Sequence, residues 1–324
     1  MATLVDMIFL GTGNSGCIPN VCCLTDPKAD CSVCLSSMTP EGRKNKRRNV
    51  SVAIRFRKHD DPSGFRLRTI LIDCGKTFYE GSIDLFPKYG IRELDGVILT
   101  HPHADAMLGL DDARMLTQGS TVQDKVDVYL TDETMDTLTS TFPYLVSANL
   151  ATGGGDVATF KYHIFDPAQP LTILGLTFTP LPVHHGIYFT TKEPYTCHGF
   201  QFGDVTYISD TNYIPPETMA IIKRIPSRVL VLDCLRVGES HASHFGLNDA
   251  LTATREINAL KTYFVGFSHR MDHYELEEQL GELKNKEQLH VAPAFDGLRL
   301  NLETENRLVE SSYFSDNVVI EQLE

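Results

Sequence analysis

Short apolar runs alternate with amphipathic stretches along the chain, and this pattern predicts an α/β protein. Runs rich in Val, Ile, Leu, Phe and Tyr predict twelve strands, at 4–10, 50–56, 68–73, 97–100, 126–130, 160–165, 176–183, 199–202, 205–209, 229–233, 263–267 and 298–302. Helical periodicity predicts five helices, at 78–88, 132–142, 215–224, 248–258 and 273–284. Asp132 and Asn248 are the expected N-caps of the second and fourth helices.

Three potential metal ligands follow one of these strands at alternate positions. His101, His103 and Asp105 come directly after the apolar run 96–99. Side chains two positions apart in an extended chain project the same way, so the two imidazoles and the carboxylate can converge on one point. Imidazole and carboxylate together suit zinc, manganese or iron. An isolated His-x-His is as often an incidental polar loop, so other ligands must support the interpretation.

Other ligand-type residues stand at the ends of later strands. His185 closes the run from Leu174, Asp210 follows 205–209, and His269 follows 263–267. Ligands gather beyond the carboxyl ends of strands in layered α/β proteins, so these residues favour one common site with the motif at 101–105.

The ordered set of His101, His103, Asp105, His185, Asp210 and His269 resembles the metallo-β-lactamase superfamily. Four local stretches resemble, within it, the phosphoribosyl cyclic phosphodiesterase group of phosphonate breakdown: 11–13, 109–112, 208–211 and 244–248. The resemblance implies a four-layer αββα sandwich with a metal groove along one edge of the paired sheets. Two strand-rich halves with helices outside fit that architecture.

The resemblance also implies two divalent ions, zinc or manganese, each with its own ligand set. The first ion would take His101, His103, His185 and Asp210. The second would take Asp105, the shared Asp210, His269 and a histidine directly after the motif's aspartate, where this chain has Ala106. The second site is therefore expected to be weak. His184 is a potential substitute, although adjacent strand residues face opposite sides.

Two such ions would activate a water molecule for attack on a phosphodiester without a protein nucleophile. His244, which the resemblance places as proton donor to the leaving oxygen, is preferred over its neighbour His241, and Asp105 is counted with it as catalytic. Either histidine could instead be a solvated loop residue.

Cysteines give a second signal. Cys22, Cys23, Cys31 and Cys34 crowd one loop, and the last two have zinc-knuckle spacing. A disulfide is disfavoured because no secretory signal is visible. A redox Cys-x-x-Cys is disfavoured because such a pair usually opens a helix after a strand, whereas this one follows Pro27 in a polar loop. In the relatives a structural zinc takes three cysteines and one histidine.

The implied zinc ligands here are Cys31, Cys34, His273 and either Cys23 or Cys22, with Cys23 as the working assignment. Such a zinc would join the loop at about 17–40 to the helix after His269 and support that ligand.

Two further patterns have plainer interpretations. The run 11–16 matches Gly-x-Gly-x-x-Gly, but Pro19 interrupts the required helix and cysteines occupy the place of the second strand, so nucleotide binding is disfavoured. A tight turn is expected there, close beneath the metals. The segment 43–48 has five cations in six positions, which favours a solvated loop, with Arg47 or Arg48 as a phosphate clamp the alternative.

Composition limits the remaining possibilities. The chain has 324 residues, 42% of them hydrophobic, and shows no linker, which predicts a single domain over 1–324. The net charge of −13 disfavours a broad grip on nucleic acid but does not hinder a small phosphodiester substrate. No apolar run approaches a membrane span, and a cytoplasmic location is the default. The sequence permits a homodimer without deciding the oligomeric state.

Three functions are thus compared. A metal-dependent phosphodiesterase is preferred because Asp105, Asp210 and His269 persist. The alternatives are a weakly active or non-catalytic ligand-binding relative, in which Ala106 has cost the second ion, and a nuclease resembling the tRNA 3′-processing enzymes.

Overall fold

The computed structural model describes residues 2–61, 66–154, 157–304 and 307–322. Its chain divides into two compact units. The first contains Met1–Leu10, Ser51–Thr177 and Arg299–Glu321, and the second contains Gly11–Val50, Phe178–Leu298 and Gln322–Glu324. The single domain predicted from the sequence stays a prediction. No helix in the described ranges combines the length and the apolar character needed to cross a bilayer.

The described residues form sixteen strands, ten α-helices and four short 3-10 helices. The strands are β1 Ala2–Gly11, β2 Ser51–Lys58, β3 Arg68–Ile72, β4 Gly96–Ile98, β5 Val126–Leu130, β6 Phe160–Ile164, β7 Leu171–Ile173, β8 Leu176–Ile187, β9 Pro194–Phe202, β10 Val205–Ile208, β11 Val229–Asp233, β12 Lys261–Val265, β13 Val291–Pro293, β14 Leu298–Asn301, β15 Arg307–Ser312 and β16 Ser315–Gln322. The helices are α1 Val21–Leu24, α2 Ser32–Ser36, α3 Phe78–Tyr89, α4 Ala104–Met107, α5 Leu110–Ala113, α6 Asp132–Thr141, α7 Pro143–Val146, α8 Pro216–Ile222, α9 Leu247–Ile257 and α10 His273–Glu287. The 3-10 helices are Arg43–Asn45, Arg114–Leu116, Gln118–Ser120 and Ala148–Leu150.

All twelve predicted strands and all five predicted helices occur, with small shifts at their ends. The pattern missed β7, β13, β15 and β16 and the one-turn helices, which are too short or too polar to give a periodic signal. Both predicted caps are wrong. Thr131 caps α6 by accepting from the backbone N–H of Thr134, and Gly246 precedes α9 without a side-chain cap.

The first unit is built on a mixed nine-stranded sheet in the order β16-β15-β14-β1-β2-β3-β4-β5-β6. Strands β3 to β6 run parallel, and β2 pairs with β3 antiparallel. Apolar side chains of α3, such as Leu85, pack on one face of this sheet with Leu71 and Val97. Burial of this face supplies the hydrophobic stabilisation of the unit.

The second unit is built on a mixed seven-stranded sheet in the order β13-β12-β11-β10-β9-β8-β7. Strands β10 to β13 are parallel neighbours, so their carboxyl ends lie at one edge. Apolar residues of α8, α9 and α10 pack on one face, as Leu276 does with Leu232 and Phe264. The predicted α/β class, with mixed sheets flanked by helices, is confirmed.

Gly75 lets the turn after β3 approach the helix that contains Asp105. The backbone N–H of Cys74 donates to the carbonyl of Ala106, at 2.7 Å, and the N–H of Gly109 donates back to Cys74, at 2.8 Å. A Cβ atom at Gly75 would lie 1.7 Å from the carbonyl oxygen of Asp105. Only glycine fits at this position, because that oxygen belongs to the backbone and cannot rotate away.

The Gly75→Ala variant should lose about 1–3 kcal/mol of unfolding free energy, because the added methyl forces α4 away from β3. Gly281→Ala is the control, since its Cβ in α10 would meet nothing within 4 Å and should stabilise the helix by up to about 1 kcal/mol. Urea unfolding of both variants measures the difference. Equal stability of the two would contradict the close approach.

Candidate metal and catalytic site

The motif residues of the first unit lie at the end of β4, in a loop and a short helix. His101 is 2% exposed and His103 is exposed, with their ring centroids 4.5 Å apart. Asp105 lies in the first turn of α4. The extended backbone predicted for the whole motif therefore ends at His103, and a helical turn sets the direction of the carboxylate.

His101 is held by a hydrogen-bonded chain that ends in a buried carboxylate. The Thr100 hydroxyl donates to Asp73 Oδ2 at 2.9 Å, and the Thr100 N–H donates to Asp73 Oδ1 at 2.9 Å. Because that hydroxyl proton is committed to Asp73, Thr100 Oγ1 accepts from Nδ1–H of His101, at 2.8 Å. His101 therefore has the tautomer whose Nε2 presents a lone pair, the form that binds metal ions.

In the second unit His185, Asp210 and His244 form one group of potential ligands, with one ligand atom from each within 4.8 Å of the others. The Nδ1–H of His185 donates to the carbonyl of Ser243 at 2.7 Å, which leaves Nε2 as the metal-binding nitrogen. The His185 and His244 ring centroids are 4.7 Å apart. Two imidazoles beside a carboxylate suit a divalent transition metal.

Asp233 positions His244 and was not singled out from the sequence. It ends β11 and is 0% exposed. Its Oδ2 accepts from Nδ1–H of His244 at 2.8 Å and from the N–H of Thr211 at 3.0 Å. Burial raises the pKa of Asp233, while His244 and the Thr211 N–H act in the opposite direction. The signal that could have revealed it is a carboxylate at the end of an otherwise wholly apolar strand.

His184 and His241, which lie near His185 and His244 in the sequence, have other surroundings. The ring of His184 lies 5.2 Å from that of Tyr213, and its backbone pairs with the segment 212–213. His184 is outside the group of potential ligands, as adjacent positions on a strand imply. His241 is exposed, and its ring centroid lies 6.2 Å from that of His244.

A second group of potential ligands, also in the second unit, contains Cys23, Cys31, Cys34 and His269. The Sγ atoms of Cys23 and Cys31 lie 3.2 and 3.4 Å from Nδ1 of His269. Cys22 is exposed and outside the group. Burial and the neighbouring thiols raise the pKa of Cys23 to about 12, so metal binding must displace protons. Three thiols and one imidazole match a structural zinc site.

The structure places His269, rather than His273, beside the cysteines. His269, expected at the second catalytic ion, lies against the cysteines. His273, expected against the cysteines, is 0% exposed, with its ring 5.7 Å from that of Phe295 and Nε2 3.8 Å from Glu277. Burial lowers the pKa of His273 to about 4, so it packs as a neutral side chain. The first residue of α10 points into the core, which the spacing alone could not reveal.

The residues present do not fit a second catalytic ion as the resemblance implies it. Ala106 replaces one histidine with a methyl group and is 2% exposed, and His269 is occupied with the cysteines. Only Asp105 and Asp210 of that implied set keep a suitable ligand atom. By contrast, His101 in the first unit and His185 in the second each have a tautomer that suits a metal ion.

The cationic segment 43–48 is not the solvated loop expected from its charge. Arg47 is 0% exposed and donates to the carbonyls of Ser268 and Met271, at 3.1 and 2.8 Å. Burial lowers the pKa of Arg47 to about 10. Its guanidinium thus fixes the segment on either side of His269 rather than clamping a phosphate. Arg48 is also buried, with its Nη1 3.6 Å from Asp296.

The glycines at 11–16 serve a close approach of two chain segments. A Cβ atom at Gly11 would lie 1.9 Å from the carbonyl oxygen of Asn49, and one at Gly13 would lie 2.7 Å from Cβ of Arg47. The helix that follows is the one-turn α1, beginning at Val21. A dinucleotide fingerprint needs a longer helix directly after the last glycine, so this part of the structure does not support one.

Comparison with models of protein families shows to which family the chain belongs. The model of the β-lactamase superfamily domain matches residues 68–267, more than half of the chain. The chain belongs to the β-lactamase superfamily. Members of this superfamily are mostly metal-dependent hydrolases, and the predicted resemblance and the sandwich fold are both confirmed.

Several solved structures are similar to this superfamily member. A structure described as a new diphosphatase from the PhnP family is 28% identical, with 93% of this chain and 97% of that chain covered and a TM-score of 0.71. It confirms the PhnP-like resemblance. YhfI, a metallo-β-lactamase fold protein from Bacillus subtilis, is 19% identical over 92% and 99% of the two chains, with a TM-score of 0.63. The short form of human tRNase Z is 14% identical over 92% and 99%, with a TM-score of 0.56, and shares the fold alone.

A curated protein of Porphyromonas gingivalis (strain ATCC BAA-308 / W83), named octanoyltransferase, is 28% identical over 291 residues. The match covers 90% of this superfamily member and 50% of that protein. The chain therefore spans about half the length of the curated relative, and half of that protein lies outside the match.

We expect Arg47→Met to lower the free energy of unfolding by about 3 kcal/mol, because it leaves the carbonyls of Ser268 and Met271 without this donor. Lys46→Met, at the exposed neighbouring position, should change it by less than about 0.5 kcal/mol. Denaturant unfolding compares the two variants. If both unfold at the same midpoint, Arg47 does not hold the segment around His269.

Proposed function

We propose that this chain is a metal-dependent phosphodiesterase that acts on small phosphodiesters, including cyclic ones. The observation that supports it best is the tautomer of His101 in the first unit and of His185 in the second. In each, the hydrogen bond at Nδ1 puts the lone pair on Nε2, the form of imidazole that binds metal ions. The similarity to a structure described as a diphosphatase from the PhnP family supports hydrolysis at phosphorus, although that name refers to diphosphates rather than phosphodiesters.

Each unit is proposed to supply metal ligands, His101 and His103 in the first unit and His185 and Asp210 in the second. A bound zinc or manganese ion would activate water and stabilise negative charge on the phosphoryl oxygens. No step is assigned to a second ion. Asp105, which lies in the first turn of α4, is proposed to orient the attacking water by accepting a hydrogen bond from it.

His244 is proposed as the proton donor to the leaving oxygen. Its Nδ1 lies 2.8 Å from Asp233 and 3.6 Å from Asp210. The bond to Asp233 fixes the ring, so that Nε2–H is the proton that can be transferred. Asp233 acts through His244 and is a positioning residue.

A second candidate function, a ligand-binding relative without turnover, is favoured by one observation. Neither histidine implied for the second ion is in place: one position holds Ala106, and His269 lies with the cysteines. The hydrolysis experiment below separates the two candidates.

The cysteine group is proposed to hold a structural zinc through Cys23, Cys31, Cys34 and His269. The ion would tie the loop after Gly16 to the segment after β12, and its binding free energy would add to fold stability.

The first test is hydrolysis of bis(p-nitrophenyl) phosphate with zinc or manganese added. His103→Ala and Asp210→Asn should both lower bound metal and reduce kcat about a hundredfold or more. His244→Gln should reduce kcat about 10²–10⁴-fold at unchanged metal content, since only the proton donor is lost.

The control for these variants is His163→Ala, whose ring stacks on Tyr129 of the neighbouring strand β5 and which belongs to no group of potential ligands in the described residues. It should keep the metal and the activity. Ligand binding by the unmodified protein without turnover in either metal would favour the ligand-binding candidate.

The second test measures zinc in matched histidine variants. His269→Gln should lose about one zinc ion per chain, because its Nδ1 adjoins the thiols, whereas His273→Gln should keep it. Cys23→Ser and Cys22→Ser form a parallel pair, with loss expected only in the former. Zinc loss in His273→Gln but not in His269→Gln would restore the assignment made from the sequence.

A further inference from the structure

An apolar pocket of about 430 Å³ lies in the first unit, between α3 and the chain that follows α5. One wall comes from 78–92 and the other from 115–122, and we call this cavity the α3 pocket. Most of its lining side chains are apolar, and Arg92 is the one charged residue among the described residues that line it. The volume is within the range of cavities that bind small molecules in proteins. The α3 pocket shares no residue with the groups of potential metal ligands.

The α3 pocket is a groove along a helix rather than a round cavity. Its wall includes a stripe of α3 and its C-cap at every fourth position, Phe78, Ser82, Phe86 and Gly90. Positions four apart lie on one face of a helix, and the axis rises about 18 Å along this stripe. A groove of that length suits an extended aliphatic chain better than a compact ring.

The inner wall of the α3 pocket is preformed. The rings of Phe78 and Phe86 contact edge to face, with centroids 5.9 Å apart, and both side chains are buried. A Cβ atom at Gly109 would lie 2.5 Å from Cβ of Phe78, so the start of α3 packs closely against the residue before α5. Because neighbouring groups hold these aromatic side chains in place, a ligand can enter without rearranging the wall.

The outer rim of the α3 pocket exposes apolar side chains to solvent. Ile83 is 57% exposed, and Met115, on the other wall, is 38% exposed. Single exposed apolar residues need no explanation, but two that border one apolar groove indicate a binding surface. An aliphatic chain in the groove would remove both side chains from water, which supplies the hydrophobic part of binding.

Arg92 supplies a positive charge at the end of the groove where α3 ends. It is exposed, and its Nη2 lies 3.4 Å from the carbonyl oxygen of Thr121, next to the lining residue Val122. No carboxylate within the described part of the chain pairs with Arg92, and the adjacent Glu93 is engaged by Arg66. A guanidinium with free N–H donors at one end of an apolar groove complements a carboxylate at one end of an apolar chain.

We propose that the α3 pocket binds a medium-chain aliphatic carboxylate, with its chain along α3 and its carboxylate on Arg92. A neutral lipid or an apolar segment of another protein would cover Ile83 and Met115 but leave the charge of Arg92 unused. The carboxylate uses both features of the groove. This binding site does not depend on the proposed hydrolysis, because none of the residues placed in that reaction lines the pocket.

The first test is calorimetric titration of the unmodified protein with sodium hexanoate, octanoate and decanoate, each below its micelle concentration. Affinity should rise about fourfold for each added CH₂ group, because each buried methylene contributes a similar hydrophobic free energy. Equal affinity for the three chain lengths, or no binding of decanoate, would overturn the proposal.

The second test separates the contribution of the charge from that of the apolar wall. Arg92→Gln should weaken octanoate binding about tenfold and leave the binding of 1-octanol unchanged, because only the carboxylate loses a charge-assisted hydrogen bond. The matched control is Arg224→Gln, an exposed arginine of the second unit, which should change neither affinity.

Ile83→Gln should weaken the binding of octanoate and of 1-octanol alike, since it places a polar side chain on the rim of the groove. Its matched control is Ile225→Gln, at a position that is 50% exposed and outside the pocket, which should weaken neither. Both isoleucines are largely exposed, so neither substitution should unfold the protein.

The remaining outcomes also decide the proposal. If Arg92→Gln and Ile83→Gln bind octanoate as tightly as their controls do, the ligand adsorbs elsewhere on the surface and the α3 pocket is overturned as its site. If Ile83→Gln weakens binding but Arg92→Gln does not, the carboxylate assignment is overturned.

Discussion

The organisation of the second unit depends on the buried carboxylate of Asp233. An ionised side chain without solvent is costly unless it is hydrogen-bonded and paired with positive charge. Asp233 receives these partners from Thr211, at the end of β10, and from His244, in the loop before α9. The same bonds set the backbone that follows Asp210 and the ring of the proposed proton donor, so a stability requirement and a catalytic arrangement coincide.

Gly266 completes this arrangement from the neighbouring strand. It follows β12, has a φ of +82°, and lies where an added Cβ would be 2.4 Å from Oδ1 of Asp233. The carboxylate thus excludes any larger side chain from the end of β12. The next potential ligand along the chain is His269, which belongs to the cysteine group. Its ring adjoins Cys23, and Arg47 donates to the carbonyl of the preceding residue, Ser268.

Two ligand groups of different chemistry therefore lie in one unit. The group of His185, Asp210 and His244 contains nitrogen and oxygen atoms, and His244 in it is the proposed proton donor. The group of Cys23, Cys31, Cys34 and His269 is rich in sulfur and supplies four ligands, as a closed structural site requires.

The sequence by itself determined the α/β class, twelve of the described strands, the five longest helices and the order of His101, His185 and Asp210 after or near strand ends. Apolar periodicity and chain order depend only on local residues. Tertiary structure decided which of His269 and His273 meets the cysteines, that Arg47 is buried, and that Asp233 holds His244. These contacts join residues distant along the chain, and a shift of four positions on a loop or helix turns a side chain from a ligand group into the core. Local pattern does not contain that information.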